Sequence, residues 1–241
     1  MLTLFHTIIY QPLYNILIFL YDVVPGKDFG ISIILITIFL RAILIPLYRK
    51  QIESQKKMQE LQPKIKELQE KTKGNKEQQT KQMMELYKEH KTNPFSGCLP
   101  LIVQLVFLIA IYRVLITISS NGLSVNSSEL YSFVVNPGKI NQFFIHLVDL
   151  TKPSIVIAVL AAAAQYFQTK MLMKQQPQNT QKEESGKPDM AQMMSKQMLY
   201  LGPFLTLFIG IRFPAGLSLY WLVGTLFMLI QQIIIEKKSS N

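Results

Sequence analysis

Arg41 is a charged residue inside an apolar stretch that is long enough to cross a membrane, Gly30–Tyr48. A helix of about 20 residues spans a hydrocarbon core of about 30 Å, and an arginine there costs at least about 2.5–3.5 kcal/mol. Thr37 and Tyr48 share its helical face. Such a charge is either a structural cation paired with an acid on a neighbouring helix or a group that lines a water-filled cavity. Because no other apolar stretch contains Asp or Glu, we favour the cavity.

Residue patterns for covalent or metal chemistry are missing from the apolar stretches. Cys98 is the only cysteine, which excludes a disulfide framework and a CxxC pair. Gly216-Leu217-Ser218 lacks the rest of a nucleophile-elbow motif, and neither His90 nor His146 falls in an apolar stretch. The chain also lacks the glycine-rich P-loop of nucleotide-hydrolysing proteins. We therefore expect no enzyme activity and no bound metal or organic cofactor.

The composition indicates an integral membrane protein. Of the 241 residues, 49% are hydrophobic, and they fall in long apolar runs joined by highly charged stretches. A net charge of +10 could indicate nucleic-acid binding, but the cations flank the apolar runs, as the positive-inside rule expects. We therefore predict a multi-pass membrane protein with no DNA partner. The N-terminus lacks a basic region and a small-residue cleavage site, so we expect no cleaved signal peptide.

Residues 1–28 form an apolar segment followed by a turn. The residues of Leu2–Tyr21 that weaken it as a membrane span are His6, Gln11, Pro12 and Asn15. They favour a helix that lies in the membrane interface. The apolar end of this segment, Ile16–Tyr21, also allows the alternative of a deeper or spanning helix.

Five further apolar runs predict a core of five transmembrane helices. They cover residues 29–49, 94–119, 153–173, 198–213 and 214–235. Residues 120–152 have balanced charges and fit an external loop, whereas residues 174–197 form a polar, flexible loop. The cations of residues 50–93 and of the tail, 236–241, place both segments and the C-terminus in the cytoplasm. Pro46 lacks an N–H and predicts a kink in the first of these spans.

Residues 50–93 predict a charged helical hairpin in the cytoplasm. Apolar residues repeat at spacings of three and four along its first helix, which gives a narrow coiled-coil-like seam. The seam consists of Met58, Leu61, Ile65 and Leu68, and Pro63 interrupts the helix as a predicted kink. Lys73-Gly74-Asn75 is a turn signal between the two helices. The hairpin is either a solvated charged element or a docking arm for a partner.

Three sequence blocks occur in order along the chain. The first is Thr-x-x-x-Arg at residues 37–41, followed by Pro46. The second brackets the hairpin, with Gln-Pro-Lys-Ile at residues 62–65 and Asn-Pro-x-x-Gly-Cys-Leu-Pro-x-x-x-Gln at residues 93–104. The third is Phe-Pro-Ala-Gly-Leu-x-Leu-Tyr-Trp at residues 213–221. Each block alone is weak, but in this order among five spans the chain resembles the YidC family of membrane protein insertases, in its short bacterial form.

The resemblance implies both a fold and a site. The fold is all-α, a five-helix transmembrane core with an N-terminal interfacial helix and a cytoplasmic helical hairpin. The site is a hydrophilic groove that opens to the cytoplasm and to lipid and is closed on the outer side. The groove residues would be Arg41, Thr37, Gln104, Tyr220 and Trp221. Leu105 and Leu108, on the lipid side of the second core span, would guide the apolar segment of a client.

The implied function is the insertion of nascent membrane proteins into the lipid bilayer of the bacterial cell membrane. Short polar tails would pass through the groove while apolar segments partition into lipid. The basic hairpin and tail would suit ribosomal RNA or anionic lipid, which makes the ribosome and the general Sec translocon candidate partners. The alternative is a small anion channel or transporter that uses the buried arginine, although the chain lacks the repeat symmetry usual in transporters.

Overall fold

The chain is mostly helical in the computed structural model, which describes residues 2–72, 74–90, 92, 99–174 and 190–240. The helices are α1 (Leu2–Phe5), α2 (Gln11–Val23), α3 (Phe29–Ile43), α4 (Ile45–Lys71), α5 (Lys76–Glu89), α6 (Leu99–Ser120), α7 (Ile155–Lys174), α8 (Met190–Gly210) and α9 (Ala215–Ser240). A π-helical turn, His6–Tyr10, joins α1 to α2. Between α6 and α7 lie a 3-10 turn, Ser127–Glu129, and two antiparallel strands, β1 (Phe143–Phe144) and β2 (Val148–Asp149).

These elements form two compact units. The first contains α1 to α3, most of α6 and α7, the segment with the two strands, α8 and α9. The second contains α4 and α5 with the adjoining ends of α6 and α7. Arg41 and Gln104 both fall in the first unit, so their site belongs to it alone.

Among the described residues, four helices are long and apolar enough to cross a membrane. They are Thr3–Val23, Ile102–Ser120, Ile155–Met173 and Ala215–Ile235. The helices Phe29–Ile43 and Ile45–Ser54, separated by a break, meet the same criteria only when they are taken together as one span. Leu199–Gly210 is a shorter apolar helix. The predicted fold class, an all-α membrane protein, is confirmed. Thr3–Val23 passes by length and composition, so its placement at the membrane interface stays a prediction, as do the domain boundaries.

The helical core of the first unit centres on α3, which packs against α2 and α9. Its fully buried members include Tyr14, Leu17 and Ile18 on α2 and Ile33 and Ile36 on α3. Buried side chains gain many small dispersion contacts with their neighbours. Such packing is a main source of helix association in membranes, because lipid is as apolar as the helix surfaces and provides no hydrophobic driving force. The N-terminal helix is therefore part of the packed core.

The π-helical turn explains how that N-terminal helix continues past Pro12. Proline has no N–H, so the bond that Pro12 would donate to the carbonyl of Ile8 cannot form. Just before it, the N–H of Gln11 donates to the carbonyl of His6, five residues back, as in a π turn. The wider turn accommodates the proline ring, and the chain stays helical from Leu2 to Val23.

Polar residues of the N-terminal helix bind the segment between α6 and α7. Asn15 Nδ2 donates to the carbonyl of Glu129 at 2.8 Å, and Asn15 Oδ1 accepts from the N–H of Tyr131 at 2.7 Å. The hydroxyls of Tyr14 and Tyr21 accept from the backbone N–H groups of Asn126 (2.9 Å) and Asn141 (2.8 Å). Asn15, one of the residues that favour an interfacial helix in the sequence, thus holds a neighbouring segment of the chain together with Tyr14 and Tyr21.

The hairpin formed by β1 and β2 (the loop hairpin) has a strained tip. Ile145 has φ +50°, a left-handed conformation that is costly for a β-branched residue, and His146 has φ +61°. Asp28 holds this tip, because its Oδ2 accepts from the N–H of Ile145 at 2.6 Å. The other oxygen of Asp28 accepts from the N–H of Ile31 in the first turn of α3. One buried carboxylate therefore fixes both the loop hairpin and the start of α3.

The second unit is the predicted antiparallel pair of helices. Leu61 is buried on α4, and its neighbours Met58, Ile65 and Leu68 are partly buried. α4 continues as one helix through Pro63. Asn75 caps α5, because its side chain accepts from the N–H of Gln78 at 3.1 Å. The predicted turn has its second residue, Gly74, at φ +101°, a conformation that glycine adopts without strain, while Lys73 lies outside the described residues.

Candidate functional site

Arg41 lies in the last turn of α3 and is buried, with 4% of its surface exposed. α3 ends two residues later, at Ile43, and α4 begins at Ile45 with Pro46 in its first turn, where a missing N–H costs little. The break predicted from Pro46 is therefore present. It leaves the arginine at a helix C-terminus, where the helix dipole favours a positive charge.

Two neutral side chains contact the guanidinium of Arg41. Nη2 donates to Gln104 Oε1 on α6, and Nη1 donates to Met228 Sδ on α9 at 3.0 Å. A sulfur is a weak acceptor, whereas the amide oxygen is a strong one. Both contacts orient the guanidinium, and neither of these two side chains carries a charge.

Gly224 on α9 provides the space that the guanidinium occupies. A Cβ at this position would lie 2.7 Å from Arg41 Nη2, closer than real Cβ atoms approach, and 3.1 Å from Arg41 Nε, which is tighter than most real contacts. Gly224 and Met228 are one helical turn apart and so share the face that α9 presents to Arg41. The sequence analysis missed Gly224. A glycine in the interior of an apolar membrane helix was the signal available, because such residues permit close approach between helices.

Thr37 is on the same side of α3 as Arg41, and it is fully buried. Its hydroxyl donates to the carbonyl of Ile33 at 2.5 Å, so its proton is used within its own helix. The predicted pair of Thr37 and Arg41 thus shares a helix face, but Thr37 donates to the α3 backbone.

Trp221 belongs to a different polar cluster. Its Nε1 donates to Gln165 Oε1 on α7 at 3.3 Å, and the hydroxyl of Thr225 reaches the same oxygen at 3.5 Å. Tyr220, the other aromatic residue predicted for the groove, is buried with 2% of its surface exposed. Of the predicted groove residues, Gln104 therefore contacts Arg41, whereas Trp221 belongs to a separate cluster around Gln165.

Leu105 and Leu108 differ in their environments. Leu105 is 45% exposed and belongs to a lipid-accessible stripe of α6 with Ile102 and Ile109. Leu108 is partly buried and packs against the core. Of the two residues predicted to guide a client, only Leu105 lies on the outer surface of α6 by this measure.

Arg113 on α6 is a second arginine within a candidate span that the sequence analysis did not weigh. It is exposed, and its guanidinium carbon lies 5.4 Å from the centroid of the Phe5 ring. Among the described residues no group of three His, Cys, Asp or Glu side chains could hold a metal ion.

The chain matches the family model described as 60Kd inner membrane protein over residues 19–241. It is 36% identical over 213 residues to the membrane protein insertase YidC of Fusobacterium nucleatum, with 88% of each chain covered. It is 34% identical to that of Clostridium perfringens, which covers 95% of this chain and 87% of that one.

Other relatives are longer than this chain. The membrane protein insertase YidC of Campylobacter jejuni is 33% identical over 231 residues, which is 96% of this chain and 38% of that one. The shared part is thus almost all of the present sequence, including the blocks that carry Arg41, Gln104 and Trp221. Both the match to the family model and the identity to relatives of similar length show that the chain belongs to the YidC family, a multi-pass membrane protein family named for its insertases.

Proposed function

We propose that this protein is a membrane protein insertase, and that the Arg41 site receives the short polar tail of a client. The observation that carries the proposal is a buried guanidinium, oriented by the neutral side chains of Gln104 and Met228, in a chain whose relatives are named insertases. A permanently charged group away from bulk water is expensive, and such groups in membrane spans mark functional sites.

The charge acts on the client by electrostatic attraction. At a separation of 4 Å, two unit charges interact by about 1 kcal/mol in bulk water and by about 4 kcal/mol at an effective dielectric constant of 20. An acidic or otherwise polar client tail therefore gains more from Arg41 at this site than from an arginine on the protein surface. The groove predicted around Arg41 supplies the water that a polar tail needs during its passage.

The driving force comes from the client. Its apolar segment gains about 0.8 kcal/mol for each CH₂ group that moves from water into lipid. The membrane potential adds about 2.3 kcal/mol for each negative charge moved outward across 100 mV. These terms are large enough that the protein needs only to lower the barrier for the polar tail, so no nucleotide hydrolysis enters the mechanism.

The surface of α6 suits the apolar part of the client. Ile102, Leu105 and Ile109 are each about half exposed and follow one another along the same side of the helix. Gln104, which contacts Arg41, is adjacent in sequence to Leu105. We therefore propose that the polar tail meets Arg41 while the apolar segment slides along Leu105, with Leu108 packing that surface onto the core.

The proposed orientation follows from the loop charges. Residues 49–91 carry 12 Lys or Arg and seven Glu, which supports a cytoplasmic location for the α4–α5 hairpin, and Lys237 and Lys238 support the same location for the C-terminus. The segment between α6 and α7 would then face outward. In this orientation the basic surface of the hairpin is available to the ribosome, to the general translocon or to anionic lipid.

Reconstitution into liposomes tests the function. We expect liposomes that contain only this protein to insert a single-span client with an acidic N-terminal tail, as measured by protection of the tail from external protease. Arg41→Gln should lower the inserted fraction about tenfold, the equivalent of about 1.4 kcal/mol, whereas Arg212→Gln, an exposed arginine at the end of α8, should not.

The same liposomes separate the alternative function. Flux of chloride or another small anion, with no insertion of the client, would favour a channel or transporter. Insertion that is equal with wild type and Arg41→Gln would reject the role proposed for Arg41 while leaving the insertase activity in place.

A further inference from the structure

A cavity of about 400 Å³ lies between the N-terminal helix, α6 and the segment that follows α6. Its lining combines charged, hydroxyl-bearing and apolar side chains. The residues are His6, Tyr10, Tyr112, Arg113, Ile116, Thr117 and Glu129. None of them contacts Arg41 through the bonds described above, and Arg113 lies nine residues beyond Gln104 on α6. The cavity is therefore a second polar site in the first unit.

Opposite charges are held at fixed positions in this cavity. The Glu129 carboxylate faces the His6 ring, with Oε2 3.0 Å from Nε2. The backbone carbonyl of Glu129 accepts from Asn15 at 2.8 Å, which fixes the residue against the N-terminal helix. Arg113 stacks its guanidinium over Phe5, and it takes part in none of the ion pairs formed among the described residues. A ligand here meets a cation and an anion together.

The position of the cavity points to a lipid. Arg113 lies within the candidate span Ile102–Ser120, about 10 Å before its end, and its long side chain can extend toward that end, where Thr117 and Glu129 complete the lining of the cavity. Exposed apolar residues continue from the cavity along both walls. They are Ile109 and Ile116 on α6, and Leu4 and Ile8 on the N-terminal helix. Acyl chains below a headgroup in the cavity would lie against these residues.

We propose that the cavity binds the headgroup of a phospholipid that carries a primary amine, as in phosphatidylethanolamine. The phosphate contacts Arg113, which offers several N–H donors to its oxygens, and the ammonium contacts the Glu129 carboxylate. The hydroxyls of Tyr10 and Thr117, 3.3 Å apart, can each turn to the phosphate. A purely anionic headgroup meets repulsion from Glu129, and a purely cationic one meets repulsion from Arg113. This proposal is independent of the insertase function.

Native mass spectrometry of the full chain in detergent, with added lipids of identical acyl chains, tests the proposal. We expect wild type to retain phosphatidylethanolamine about tenfold more than phosphatidylglycerol, the effect of one charged contact. Arg113→Gln should lower retention of both lipids, because both carry the phosphate, and should leave the preference set by Glu129 in place. Glu129→Gln should bring retention of phosphatidylglycerol up to that of phosphatidylethanolamine. Arg212→Gln, which removes an exposed arginine stacked on Phe208, is the matched control and should change neither.

Two results would overturn the proposal. One is equal retention of the two lipids by wild type, and the other is an effect of Arg113→Gln no larger than that of Arg212→Gln. Soluble glycerophosphoethanolamine at the concentration of the lipid should not displace it; displacement would show that the site takes the free headgroup and not a lipid. If Arg113→Gln fails to fold, Arg113→Lys must preserve the retention of both lipids, since it keeps the charge that contacts the phosphate.

Discussion

Arg41 and Gly224 act as one unit in this structure. The guanidinium lies close to where a Cβ on residue 224 of α9 would be. Its position therefore depends on the absence of a side chain at Gly224 as well as on the hydrogen bonds to Gln104 and Met228. Arginine and lysine differ here in a useful way. Arginine offers a planar set of donors, whereas lysine offers a compact charge on a flexible stem. Substitutions at Arg41 and Gly224 therefore distinguish the effect of the positive charge from the effect of its exact position and hydrogen-bonding geometry.

Arg41→Lys is expected to retain more insertion activity than Arg41→Gln. A hydrated positive charge attracts a client tail whichever group carries it, whereas the amide of glutamine does not. The measurement is the protected fraction of an acidic-tailed client in liposomes. An equal loss for both variants would indicate that two-pronged hydrogen bonding by arginine is required.

Gly224→Ala is expected to lower insertion while leaving the protein folded. The new methyl displaces the flexible end of Arg41, and alanine in a helix interior is favoured over glycine by about 0.5–1 kcal/mol. The measurements are client insertion and the melting temperature in detergent. Gly202→Ala on α8 is the matched control, because its Cβ would have no neighbour closer than 3.9 Å. A fall in melting temperature with unchanged insertion would contradict the proposed role of Gly224.

Part of this site could be predicted from the sequence. Arg41 was recognised as a charge in an apolar stretch, whereas Arg113, in a similar stretch, was not, and the resemblance gave Gln104, which lies against Arg41. The Gln165 cluster could not be anticipated, because pairing between Trp221 and Gln165 depends on how α9 and α7 rotate about their axes. Long apolar helices with little amphipathic contrast do not reveal that rotation.

At the scale of elements, the N-terminal helix is tied to the segment between α6 and α7. The residues that join them are more than 100 positions apart in the chain, so local patterns carry no trace of the pairing. The polar residues of the helix were interpreted as markers of the membrane interface, which is one of several roles that polar residues in an apolar segment can have. The structure gives Tyr14, Asn15 and Tyr21 definite backbone partners.

Asn15→Ala is expected to loosen this segment. It leaves the carbonyl of Glu129 and the N–H of Tyr131 without their bonds to Asn15, at a cost of about 1–3 kcal/mol for buried groups. The measurement is the rate of limited proteolysis between residues 121 and 151, which should rise. Ser119→Ala, at an exposed position, should match wild type.

Asp149 makes the stability of the same segment depend on pH. Burial by itself raises the pKa of Asp149, but hydrogen bonds from Thr151 and the nearby Lys152 outweigh it and hold the pKa below its ordinary value. The folded state thus favours the ionised carboxylate, and the resulting stability is present at neutral pH and is lost as the pH falls through the lowered pKa. Melting temperatures measured from neutral to acidic pH should show this loss, and Asp149→Asn should reduce the pH dependence. An identical pH profile for that variant would contradict the assignment.

At the scale of the whole molecule, the all-α fold class follows from the long apolar runs of the sequence. Apolar runs of spanning length predict the helices because no other regular structure satisfies the backbone inside one segment in lipid. The π-helical turn at His6–Tyr10 and the tip of the loop hairpin at Ile145 were not predictable in this way. Both depend on a few residues whose backbone conformation differs from the one that their residue types and neighbours favour.

Labelling with a membrane-impermeant maleimide tests the proposed orientation. In a Cys98→Ser background, Ser128→Cys should react on intact cells, whereas Lys237→Cys should react only after the membrane is permeabilised. Both positions are exposed in the structure, so accessibility to water is not limiting. The opposite pattern would invert the orientation proposed from the loop charges.

The two hydrogen bonds of the Asp28 carboxylate, one to the start of α3 and one to the loop hairpin, fix the position at which α3 begins. A helix advances about 1.5 Å and rotates about 100° with each residue. The number of residues between Asp28 and Arg41 therefore sets how deep the guanidinium lies along the helix axis and in which direction it points. One residue inserted between Asp28 and Arg41 would swing the charge away from Gly224 with every side chain of the site unchanged. Four inserted residues would turn the helix by slightly more than one full turn, so the guanidinium would again point roughly toward Gly224 but would be shifted along the axis by about 6 Å.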